Sequence, residues 1–385
     1  MKKKLYILGL AGLTAVAALS SSGCGSDDTV NVVQSNSTVL REYAIIANNQ
    51  AAGSFTVKGL NLQNGTSSVI NNQFTTGVGA NPILVKTHPN INVFYVLNRT
   101  SGTISQYTLD RNGGAAFLGT VNTPANPMFI VIHPSGGLVY VGAAPNGPGV
   151  AGSIRRYTVA SSGVLTAAGA DVLTTNSLTN NVALIKDADF SFGGGALHVP
   201  EVNKVETFSV ATDGTLTATA QANTLGNANF EALDVDVRPG QASLVAVVRT
   251  NEANDRLFSF PVNNGVLGAS TNIAPATVLN MGDFASNGQY YAGHATLPQM
   301  FGYNVDNATG ALTALATNPM AVSTGVSSRF VALDPSNNFM LSTGGVGDNV
   351  LVARFRGQNG EFIGSTADSQ SLFNASGFDF FTFNF

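Results

Sequence analysis

The chain has no tryptophan, one cysteine and four histidines, and charged residues make up only 10% of its 385 positions, against roughly 25% in an average soluble protein. Each shortage removes a class of function. The one cysteine, Cys24, sits in an N-terminal targeting segment, so the domain that follows has no disulfide and no thiol catalysis. A net charge of −4, with no basic run after Lys2–Lys4, removes the electrostatic case for nucleic acid. Without tryptophan or a suitable histidine set, a redox-cofactor site has no support. No GxSxG occurs, no two histidines have metal-ligand spacing, and no helix follows the Gly-rich GGVGD at 344–348 to complete a phosphate cradle.

What is present is 44% hydrophobic residues, enough for a substantial core, and 42 glycines. Solubility must rest on Asn, Thr, Ser and Gly, a composition typical of exported β-proteins. Lys2–Lys4 followed by the apolar run Leu5–Leu19 reads as a signal peptide, too short for a comfortable membrane span. The small residues Ser20-Ser-Ser-Gly before Cys24 resemble a bacterial lipobox, although Ser21 stands where Leu is usual. The division expected is a lipoprotein-type signal peptide over 1–23, a polar tether over 24–40 and a folded domain over 41–385. On this reading Cys24 carries a lipid, and the protein is a monomer anchored to a membrane of the cell envelope. An ordinary cleaved signal peptide is the alternative.

A hairpin signal recurs seven times, at Asn64-Gly65, Asn112-Gly113, Ser162-Gly163, Asp213-Gly214, Asn264-Gly265, Thr309-Gly310 and Asn359-Gly360, with the glycines 48, 50, 51, 51, 45 and 50 residues apart. Upstream of most hairpins lies a second pattern, as in NPILVKTHPNINVFYVLN (81–98) and NPMFIVIHPSGGLVYVGA (126–143): an apolar strand, a Pro-centred turn and another strand. Helical periodicity is nowhere sustained, so each period supplies four strands. Repeated four-stranded antiparallel units mean propeller blades. Strand–turn–strand units number six against seven hairpins. The missing innermost strand comes from GFDFFTFNF (377–385), which pairs with EYAIIAN (42–48) and closes the ring. The alternating aromatic end also suits the last strand of an outer-membrane barrel, a reading that the Pro turns and fully apolar inner strands oppose.

With KDADFSFGGGALHVPEVNKVETFSVATDGTLTA (186–218) and the phrases FYVLN (94–98) and LVYVG (138–142), the repeat resembles the seven-bladed lactonase-type propellers, which include bacterial 6-phosphogluconolactonases and YVTN-repeat surface propellers. The resemblance implies an all-β fold and, for the enzymes, hydrolysis of a sugar lactone. It also implies a His where this chain has Lys186, and an Arg-His pair where it has Leu233-Asp234.

Candidate site residues follow from the repeat. Asp187 and Asp189 lie 47 residues before Asp234 and Asp236, the same register on neighbouring inner strands, where other repeats carry Phe129, Val131, Phe330 and Ala332. Asp is disfavoured in strands, and a buried carboxylate needs a partner. Three explanations stand: the four aspartates bind a hard cation such as Ca²⁺; Asp187 and Asp234, with Lys186, act as acid and base; or the carboxylates cap backbone N–H groups and pair with Lys186, Arg238 or Arg329. Lys186 and Arg329 share a register otherwise held by Ile83, Met128, Leu233 and Leu279, so they are expected at the channel mouth, ready for an anionic group. Glu201, Arg249 and His294 complete the ligand-binding candidates. His88 and His133, each just before a turn proline, read as turn-packing residues, and His198 as core. The function expected is binding of a small ligand or envelope protein at the channel face, with a divergent lactonase as the alternative.

Overall fold

The computed structural model describes residues 42–382 except 50–51, 61–66, 75–76, 145–148, 180–184, 220–222, 239, 241–242, 251–254, 276, 286, 322–329, 335–338, 344–349, 357–360 and 369–374. Cys24 and Arg329 lie outside the described residues, as do the Asn64-Gly65 and Asn359-Gly360 hairpins. The described strands form seven separate antiparallel sheets, which is a propeller and not one closed barrel sheet. Blade one is split: Ala375–Thr382 is its innermost strand, followed outward by Glu42–Asn48, Ser54–Leu60 and Ser67–Phe74. Ile45 faces Asp379 and Tyr43 faces Phe381 in that closing ladder.

The innermost strands of blades two to seven are Pro82–Thr87, Pro127–Ile132, Asp189–Phe190, Glu231–Val237, Leu279–Phe284 and Phe330–Leu333. Their sequence is apolar because both faces of each blade pack on a neighbour, as in any sheet buried on both sides. Ile83, Met128, Phe129, Leu233 and Leu279 are each at most 1% exposed. Exposure rises at the outer edge, where every residue of Ala115–Asn122 is exposed or half-buried. In blades three, five and six the outer strand is broken, and the extra pieces Val172–Ser177, Thr271–Ile273 and Met320–Ala321 rejoin the third strand further along.

Two devices tie neighbouring blades. In the first, a tyrosine on a second strand reaches the following blade's hairpin: Tyr43 donates to Arg111 O (2.7 Å), Tyr95 to Gly163 O (2.9 Å) and Tyr140 to Gly214 O (2.7 Å). The hairpin glycines Gly113, Gly163, Gly214, Gly265 and Gly310 all have φ between 71° and 87°, the left-handed region a tight hairpin needs. In the second, the residue before the turn of blades two, three and five reaches the following blade's turn. His88 Nε2 lies 2.7 Å from Gly136 O, His133 Nε2 lies 3.2 Å from Gly194 O, and Arg238 donates to Asn287 O at 3.3 Å. His88 and His133 are therefore turn-packing residues.

Candidate functional site

The chain entering blade four leaves its own sheet early. That blade's innermost ladder has two residue pairs, Asp189 with His198 and Phe190 with Leu197. Upstream, the backbone bonds to other blades: Lys186 N donates to Met128 O of blade three (3.1 Å), Asp187 N donates to Leu233 O of blade five (3.1 Å), and Val235 N donates to Asp187 O (3.2 Å). Asp187 and Asp234 thus form a parallel bridge, so the 47-residue register does bring them together.

Their carboxylates have different jobs. Asp187 accepts from Lys86 Nζ of blade two at 2.8 Å, an ion pair with both side chains partly exposed. It reaches past blade three, so it stands in the channel that the inner strands enclose. Asp234 is buried and accepts from Gly282 N (2.7 Å) and Tyr290 Oη (3.3 Å) of blade six. Asp189 accepts from Val237 N of blade five at 3.0 Å. Two carboxylates outside the sequence set do the same: Asp283 takes Leu333 N (2.8 Å), and Asp379 takes Thr87 N (2.8 Å) and Thr87 Oγ1 (3.0 Å). Asp236 is buried with them. Among the described residues no three His, Cys, Asp or Glu side chains converge where they could hold a metal ion, so the four aspartates do not form a common centre. Of the three explanations, capping of a neighbouring blade's N–H groups accounts for Asp189 and Asp234.

Lys186 is not at an open mouth. It is fully buried, with Nζ 3.0 Å from Glu231 Oε1 and donating to Ala232 O. Burial lowers its pKa, and Glu231 works against that shift. Thr179 Oγ1 donates to the same Glu231 carboxylate. Glu201, also fully buried, ends the second strand region of blade four and takes Asn176 N at 3.1 Å. Burial raises its pKa to about 10, reinforced by the neighbouring Glu206. Glu206 in turn holds Thr175 N (2.8 Å) and Lys204 Nζ (3.1 Å).

Arg249 and His294 end the second strands of blades five and six, on the same face. Arg249 is half-buried, opposite Glu231 in the ladder, and senses the charges of Lys186 and Asp255. Among the described residues its guanidinium forms no hydrogen bond or ion pair. His294 is buried, and its Nδ1 accepts from Thr296 N (3.0 Å) and Leu297 N (2.9 Å), which leaves the ring proton on Nε2. Burial lowers its pKa. His198 bridges Ser191 Oγ (2.7 Å) and Thr207 Oγ1 (3.0 Å) inside blade four, and burial takes its pKa down to about 3. It is core, as its place in the second strand suggested.

A candidate-site residue that sequence reasoning missed is Lys86. It sits three residues before Pro89, whereas the charged positions sought were six before. Only the fold places it against Asp187.

No protein-family model and no curated protein sequence matches the chain. Solved structures do. A putative 6-phosphogluconolactonase from Bacteroides uniformis is 16% identical and superposes with a TM-score of 0.72 over 88% of this chain and 99% of that one. One from Bacteroides fragilis is 15% identical, with a TM-score of 0.70 over 88% and 98%. The Pseudomonas aeruginosa periplasmic gluconolactonase is 16% identical, with a TM-score of 0.70 over 88% and 99%. The chain has the β-propeller fold of these 6-phosphogluconolactonase-like proteins.

Proposed function

We propose that this chain is an exported, lipid-anchored, lactonase-like propeller that binds a small anionic ligand at the channel face of blades four to six. The observation that carries the reading is what occupies the positions where the family's catalytic residues are expected. Lys186 is committed to Glu231, and Asp234 to Gly282 N and Tyr290 Oη. Both hold blades together, and neither is placed to take a proton from water. Arg249, by contrast, is a half-buried guanidinium with its donors unspent, suited to a carboxylate or phosphate. The structural neighbours named for gluconolactone chemistry make sugar acids the first ligands to try. A cleaved signal and lipidation at Cys24 supply export; labelled palmitate should enter the wild-type chain and not Cys24→Ser.

The second reading, a divergent lactonase, draws on the Asp187–Lys86 pair, whose carboxylate is partly exposed whereas Asp234 and Asp236 are buried. One experiment separates the two. The protein is titrated in a pH-stat against sugar and aliphatic lactones, and in parallel its melting temperature is followed with gluconate and 6-phosphogluconate. No turnover above buffer, with stabilisation by a sugar acid that Arg249→Ala loses, supports binding. Turnover that disappears in a folded Asp187→Asn variant would replace that account with the enzyme.

A further inference from the structure

The turn-to-turn ties described above are interrupted at blade four. The bridging position is held by His88, His133 and Arg238 in blades two, three and five. In blade four it is Ser191, aligned by the same backbone closure: His88 N to Val93 O, His133 N to Leu138 O, Ser191 N to Ala196 O and Arg238 N to Ser243 O. Serine is too short to cross, and its hydroxyl turns inward to His198 Nε2 at 2.7 Å. The space a bridging side chain would fill is a pocket of about 430 Å³ between blades four and five. It opens on the face opposite Arg249, among the turns and hairpins.

The walls point to its ligand. Ser191, Phe192, Gly195 and Ala196 come from blade four, and Val237, Gly240, Val262, Asn264 and Gly265 from blade five. None is charged, which disfavours an ion. Phe192 stands where blades two and three have the turn prolines Pro89 and Pro134, and its ring is 68% exposed. The Asn264 side chain is exposed and forms no hydrogen bond among the described residues. An aromatic face and a free carboxamide on an uncharged, glycine-walled pocket of ligand size suit a ring with an apolar C–H face and hydroxyl edges. We infer that this pocket binds a neutral saccharide unit, stacked on Phe192 and hydrogen-bonded to Asn264.

The test is saturation-transfer NMR on the full chain with methyl α-glucoside, methyl β-galactoside, N-acetylglucosamine and their β-1,4-linked dimers at millimolar concentration. Transfer to the ring protons of at least one sugar is expected, reduced at least tenfold in Phe192→Ala and in Gly195→Leu. Both variants should fold: Phe192 is mostly exposed, and a Cβ at Gly195 meets nothing within 4 Å. Arg249→Ala should leave the signal intact, which separates this site from the channel-face site. No transfer from any sugar overturns the proposal. So does transfer that survives both pocket variants, or a phenyl compound that displaces the sugars and binds more tightly.

Discussion

The turn-to-turn tie between blades three and four can be weighed by two adjacent glycines. Gly193 and Gly194 have nearly the same backbone, φ +86° and +80°, so alanine at either position incurs the same left-handed penalty, about 1–2 kcal/mol. They differ in what the new methyl meets. At Gly193 it meets nothing within 4 Å, whereas at Gly194 it would lie 2.3 Å from His133 Nε2. His133 must then move, losing its contact with Gly194 O, about 1 kcal/mol, and its edge-on packing on Phe190 (5.1 Å, 80°), about 0.5–1.5 kcal/mol. Gly194→Ala should therefore be less stable than Gly193→Ala by about 1.5–2.5 kcal/mol, the sum of those two losses. Urea unfolding followed by circular dichroism at constant m measures the difference. In a His133→Ala background the two alanines should cost the same. Equal losses in the wild-type background, or an excess that persists without His133, would refute the tie.

Removing residues 375–385 takes away the closing strand and both Thr87–Asp379 bonds, so the truncated chain should aggregate or melt far below the intact one; size-exclusion chromatography and a melting curve decide. Glu201 is held protonated, with its pKa raised to about 10, so the native state keeps a proton that the unfolded state sheds above about 4.5. Stability should therefore fall as pH rises from about 5 towards 10, and Glu201→Gln should match wild type at pH 5 and exceed it at pH 9 in urea unfolding. His198 gives the opposite slope: its pKa near 3 lies below that of the unfolded chain, so stability is lost as pH falls from about 6.5 to 3. A His198→Gln variant that kept the full acid sensitivity of wild type would remove His198 as its source.

The repeat was legible because two chemical demands recur in it. A tight hairpin needs a left-handed residue, which marks Gly113, Gly163, Gly214, Gly265 and Gly310 at near-constant spacing. A strand buried on both faces must be apolar, which exposes Asp187 and Asp234 as anomalies at one-repeat separation. Their pairing followed, but their partners did not. Gly282 N, the partner of Asp234, and Val237 N, that of Asp189, are backbone groups, and a sequence carries no mark of which amide needs an acceptor. The Lys86–Asp187 pair spans 101 residues and skips a blade, so only the curvature of the ring brings it together. Lys186 is expected at an open mouth because, with Arg329, it is charged in a register otherwise held by Ile83, Met128, Leu233 and Leu279. Its chain instead leaves the blade sheet early, and the side chain turns between blades to Glu231. The broken outer strands escaped notice for a simpler reason: three-residue edge segments such as Thr271–Ile273 are too short to show a period.

The closing ladder has a kinetic consequence. Thr87 and Asp379 are 292 residues apart, and Glu42–Asn48 is sandwiched between its own neighbour and the final strand. During synthesis the first strands of the domain emerge long before the strand that completes them, so blade one is the last sheet that can be finished. Contacts at such separation slow folding, and a chain still on the ribosome has no finished ring to lock it prematurely. Commitment to the native state waits for the arrival of one phenylalanine-rich segment.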